Sequence, residues 1–101
     1  MSEFFKVAKR SQIPQDGGLA VEAGGREIGL FIAEGRVFAL DPRCPHAGGP
    51  LTEGGVKGSL VMCPWHGWEF SVKTGECTFN DSICVKTFPV REDGDDVFVE
   101  V

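Results

Sequence analysis

The sequence predicts an all-β fold of antiparallel strands. Short apolar segments alternate with turns from the start of the chain, and Gly-containing pairs separate consecutive segments by two residues, the spacing of tight β-hairpins. No long segment sustains a 3.6-residue apolar period, so helix is confined to about one turn near Ser11 to Pro14.

In chain order, Phe4 to Val7 reads as the first strand, Leu19 to Ala23 as the second, Arg26 to Ile32 as the third and Arg36 to Leu40 as the fourth. Gly24-Gly25 and Glu34-Gly35 are the hairpin turns. Asp41-Pro42-Arg43 stops the fourth strand and launches a loop from Cys44 to Pro50, where Gly48-Gly49-Pro50 lets the backbone wrap closely around a cofactor. Leu51 is expected to pack beneath it. Gly54-Gly55 and Lys57-Gly58 read as turns, Ser59 to Met62 as a short strand feeding a second loop, and Gly67 as the sharp exit from that loop. Trp68 to Val72 resumes strand, with Trp68 and Phe70 expected in the sheet core. Thr74-Gly75 is another hairpin turn and Asn80-Asp81 a loop; Val85 to Val90 and Val97 to Val101 form the closing pair, joined around Asp93-Gly94.

A chain of 101 residues bounds this to one domain, residues 1–101, without repeat or linker. No apolar run approaches the ~18 residues of a membrane span, and the start, Met1 to Lys6, lacks the apolar region of a signal peptide; the cytoplasm is the expected compartment. Residues 91–101 account for −4 of the net charge of −5, through Glu92, Asp93, Asp95, Asp96 and Glu100 against Arg91. A nearly neutral body speaks against nucleic acid, which demands clustered Lys and Arg. The acidic end reads as a solvated turn or as a docking edge for a basic partner.

Chemistry concentrates between Cys44 and His66. Cys44-Pro45-His46 is followed by sixteen residues and then Cys63-Pro64-Trp65-His66, so each Pro- and Gly-rich loop carries one thiol and one imidazole. Such donors suit zinc, copper or an iron-sulfur centre. Zinc fingers usually pair like with like, whereas here each loop is mixed, which suits a two-iron cluster with both thiolates on one iron and both imidazoles on the other; one structural zinc stays open as the alternative. Cys77 and Cys84 lie outside this pattern. They could oxidise to each other, but a cytosolic setting favours free, part-buried thiols.

The pattern Cys-x-His followed by Cys-x-x-His resembles the Rieske family of 2Fe-2S proteins, specifically between Cys44 and Phe70. The resemblance implies an antiparallel β-sandwich with a small cluster-binding subdomain, about residues 41–70, formed by the two loops. It also implies one Rieske-type 2Fe-2S cluster, with Cys44 and Cys63 on the inner iron and His46 and His66 on the outer one. Trp65, between two ligands, is then an apolar shield or an electron conduit. Family members of cytochrome bc complexes carry an extra Cys in each loop, where this chain has Gly49 and Trp65. They also place Ser and Tyr hydroxyls where this chain has Trp68 and Phe70, so the resemblance implies a potential at the low end of the Rieske range.

His46 and His66 are the only histidines, which leaves none for the separate mononuclear iron site of a Rieske oxygenase, and no dinucleotide fingerprint or P-loop is present. The chain reads as an electron carrier or redox-enzyme subunit and not as a self-contained enzyme. The leading expectation is a shuttle similar to the small Rieske ferredoxins that serve a flavoprotein reductase and a ring-hydroxylating oxygenase. The second is the small subunit of an NAD(P)H-dependent nitrite reductase, which the stretch Cys84 to Val90 also resembles. A zinc-stabilised binding module is the third.

Overall fold

The computed structural model describes residues 3–43, 50–64, 67–78 and 80–101, and in these the chain is all-β. The strands are β1 (Phe4–Lys9), β2 (Gly18–Ala23), β3 (Arg26–Ala33), β4 (Arg36–Leu40), β5 (Val56–Lys57), β6 (Leu60–Met62), β7 (Glu69–Ser71), β8 (Glu76–Cys77), β9 (Asn80–Cys84), β10 (Thr87–Phe88), β11 (Val90–Asp93) and β12 (Asp96–Glu100). Single 3-10 turns at Arg10–Gln12 and Leu51–Glu53 are the helical elements among the described residues, and no described helix is long and apolar enough to cross a membrane.

Antiparallel pairing builds three sheets among the described residues, in the orders β1-β12-β11, β10-β4-β3-β2 and β5-β6-β7-β8-β9. The middle sheet is the wall between two cores. Alternation along β3 sends Ile28 and Leu30 to a core shared with Ala8, Val97 and Val99 from the first sheet, and sends Phe31 and Ala33 to a core shared with Val61 and Phe70 from the third and with Val72 just after β7. Burial on both faces explains why β3 reads as a nearly continuous apolar run. An ion pair between Lys73 and Glu34 ties the turn after β7 to the β3–β4 hairpin.

Two expectations need correction. Asn80-Asp81 is not loop: it opens β9, an edge strand whose Asn80 pairs with Cys77. Asn80 Oδ1 accepts from Ser82 N–H at 3.0 Å and from Ser82 Oγ at 2.6 Å, so the polar groups of Asn80 and Ser82 satisfy one another on an exposed edge. Nor is Val85 to Val90 one strand. Thr87 and Phe88 pair with Leu40 and Ala39 of β4, whereas Val90 onward pairs with β12. Pro89, which has no N–H to give to a ladder, stands where the chain changes sheets, and its carbonyl accepts Glu100 N–H at 3.0 Å.

Candidate metal centre

Both cysteine- and histidine-bearing loops stand on stems closed by main-chain hydrogen bonds. At the first, Asp41 N–H donates to Lys86 O at 2.8 Å and Arg43 N–H to Asp41 Oδ1 at 3.0 Å, which ends β4. Arg43 and Pro50 then form an isolated antiparallel bridge, and Leu51 N–H donates to Pro42 O at 2.7 Å. Arg43 and Pro50, the described residues on either side of 44–49, are therefore held side by side. The 3-10 turn Leu51–Glu53 follows directly, with Leu51 fully buried as the sequence suggests.

The second stem is the β6–β7 hairpin, in which Met62 pairs with Glu69. Beyond it Cys63 N–H donates to Trp68 O at 2.7 Å and Gly67 N–H to Cys63 O at 2.9 Å. Gly67 closes this tight return with φ of 72°, a region closed to most side chains. Cys63 is 0% exposed and belongs to the same core as Leu51, Val61 and Phe70, with half-buried Trp68 packed against that core. One apolar body thus lies beneath both stems.

Of the sequence-predicted ligands, Cys63 is placed by the structure; Cys44, His46 and His66 lie outside the described residues, as do Pro45, Gly48, Gly49 and Trp65. Cys63 fits a metal ligand. Its sulfur is a soft donor of the kind that zinc or an iron-sulfur centre takes, and it lies in the core that also holds Leu51. The donor set, two thiols and two imidazoles divided equally between loops whose stems share one core, fits a cluster gripped from two sides.

Cys77 and Cys84 are free thiols on the β8–β9 pair; Cys77 is buried in the core that holds Cys63, and Cys84 is exposed opposite Glu76. Among the described residues no group of three or more His, Cys, Asp or Glu side chains is placed to hold a metal ion. The acidic end belongs to the far sheet and is largely engaged within the chain. Arg10 Nη1 donates to Glu92 Oε1 at 2.7 Å, Lys6 pairs with Asp96 at 3.3 Å, and Asp95 accepts from Ser11 N–H at 3.2 Å and Ser11 Oγ at 2.9 Å.

One residue that sequence reasoning passed over is Gly54, read there as turn material. Its φ of −83° is ordinary. What singles it out is space: a Cβ there would overlap the carbonyl oxygen of Met62. A Gly-Gly pair between a candidate loop and the strand entering the next is the signal that could have drawn attention to it.

Comparison with known proteins agrees with this arrangement. The family described as Rieske [2Fe-2S] domain matches residues 3–89. The biphenyl dioxygenase ferredoxin subunit of Pseudomonas sp. (strain KKS102) is 31% identical over 100 residues, covering 96% of this chain and 91% of that protein. Among solved structures, the Sphingomonas yanoikuyae B1 ferredoxin superposes with a TM-score of 0.87 at 26% identity, covering 98% of this chain and 99% of that one. A chain assigned as the small subunit of an NADH-dependent nitrite reductase from Mycobacterium tuberculosis shares the fold with a TM-score of 0.90 at 19% identity, covering 100% of this chain and 96% of that one.

Proposed function

The chain belongs to the Rieske 2Fe-2S family, and from that premise we propose that it is a one-electron carrier, taking electrons from a reductase and passing them to a partner oxidoreductase such as a ring-hydroxylating oxygenase. The observation that carries this reading is the similarity to a dioxygenase ferredoxin subunit along nearly the full length of both proteins. The cofactor of the family is a Rieske-type 2Fe-2S cluster, which when bound supplies reversible uptake of a single electron.

Within this reading, residues 1–101 form one domain with its cluster-binding part at about 41–70. Cys44 and Cys63 hold the inner iron, and His46 and His66 the outer one. Burial of Cys63 in the apolar core supports the inner assignment, because an iron held by this residue would lie on the core side of the site. Phe70, fully buried and without a hydroxyl, offers no O–H hydrogen bond to stabilise added negative charge, which supports a low potential. We place the protein in the cytoplasm, a compartment that keeps exposed thiols such as Cys84 reduced.

A second reading, a small subunit of an NAD(P)H-dependent nitrite reductase, is favoured by the fold shared with the Mycobacterium tuberculosis chain and by the stretch Cys84 to Val90. Affinity capture from the native extract separates the two. Recovery of a flavoprotein and an oxygenase supports the shuttle, and recovery of a large sirohaem protein supports the subunit. Iron and acid-labile sulfide in equal amounts support the cluster in either case; zinc without sulfide refutes both.

A further inference from the structure

Two loops that share one bound group could be brought together by that group alone, or the folded chain could set their relation beforehand. The segment Leu51–Gly54, which leaves the first loop, bears on this directly. On one side it meets two glycines of the middle sheet. A Cβ on Gly18 of β2 would lie 2.9 Å from Thr52 Cα and 2.5 Å from Phe31 Cε1, and one on Gly29 of β3 would lie 3.0 Å from Thr52 Cγ2 and 3.0 Å from Phe31 Cε2. On the other side Gly54 abuts the carbonyl of Met62, the residue before Cys63, closely enough that any Cβ would overlap that oxygen.

Hydrogen bonds fix the same junction. Met62 N–H donates to Gly55 O at 3.0 Å, Gly54 N–H to Leu51 O at 3.1 Å, and Val56 N–H to Asp16 O at 2.9 Å. The exit of the first loop is therefore fastened, main chain to main chain, to the entry of the second. Such a contact has no rotamer through which to relax, so a side chain at residue 54 must displace one stem relative to the other.

We propose that Leu51–Gly54, seated between Gly18 and Gly29 on one side and the Met62 carbonyl on the other, sets the separation of the two loops before the cluster binds, with Gly54 as the positioning residue. The proposal rests on the cluster reading above and extends it from the four donors to the main chain that places them. Gly55 supplies an internal control, since a Cβ there meets nothing closer than Asp16 O at 3.9 Å, an ordinary contact.

The experiment compares the holoproteins of wild type, Gly54→Ala, Gly55→Ala and Gly29→Ala. Readouts are iron and sulfide content, cluster loss to a chelator, electron paramagnetic resonance g-values, midpoint potential and far-ultraviolet circular dichroism. Gly54→Ala is expected to keep the β-sheet spectrum, to retain its cluster about 10-fold less tightly, and to show altered g-values and potential in what remains. Gly55→Ala should match wild type, and Gly29→Ala should fall between, because the Thr52 methyl facing it can give way. Unchanged retention, g-values and potential in Gly54→Ala overturn the proposal, as does equal damage from Gly55→Ala. Should Gly54→Ala lose the β-sheet spectrum, Gly29→Ala decides: altered g-values support positioning, and wild-type values overturn it. Wild type isolated with zinc and no sulfide overturns the cluster reading itself, whereas wild type with a full cluster beside an unaffected Gly54→Ala overturns this inference alone.

Discussion

Truncating Leu51 to Ala tests whether the first loop stands on the core described above. Leu51 is 0% exposed and shares its core with Cys63, Val61 and Phe70. Removing three carbon groups from such a site forfeits roughly 2.4 kcal/mol at ~0.8 kcal/mol per methylene. The residual cavity adds to this, and a total of about 3–4 kcal/mol is in line with buried Leu→Ala changes. For a domain near 100 residues this lowers the thermal midpoint by about 15 °C. Leu30→Ala is the matched control, because Leu30 is equally buried but faces the core on the other side of the middle sheet. Circular dichroism at one fixed scan rate should show comparable drops for both variants. Visible absorption and the g-values of the reduced centre should change for Leu51→Ala alone. A loss below about 1 kcal/mol at Leu51 would remove it from the foundation of the loop, and an equal spectral disturbance by Leu30→Ala would show that the two cores do not act separately.

At the far sheet, a double-mutant cycle on Arg10 and Glu92, whose side chains are 34% and 28% exposed, is expected to return a coupling of about 0.5–1 kcal/mol that weakens with added salt. Glu92→Ala should lower stability further by removing the acceptor of Val37 N–H, at 3.2 Å, and should leave the rate of electron exchange with the partner unchanged; a slowed association would restore the acidic end as a docking edge. A thiol reagent applied to the folded protein should modify exposed Cys84 and spare buried Cys77. Cys84→Ser should be silent, while Cys77→Ser costs about 1–3 kcal/mol by burying a hydroxyl, and neither should alter the visible spectrum. Protein-film voltammetry from about pH 6 to pH 9 should find a potential near −150 mV with little slope around neutrality. A strongly positive value falling steadily with pH would contradict the low-potential assignment.

The all-antiparallel character and the hairpins at Gly24-Gly25 and Glu34-Gly35 are legible in the sequence because each depends on neighbours a few residues apart: two-residue turns and period-two alternation. Burial of Leu51 and Phe70 is legible too, as large apolar residues flanking the loops have few other places to go. The break at Pro89 and the strand at Asn80 depend on long-range pairing. Phe88 reaches back to Ala39 across the middle sheet while Val90 joins β12, and no local pattern says which partner wins. Gly54 makes the same point at the candidate site. Its own backbone is ordinary and its neighbours in sequence read as a turn; only the folded chain brings the Met62 carbonyl against it, because close approach of two main chains depends on where the sheets lie and not on the preference of either residue.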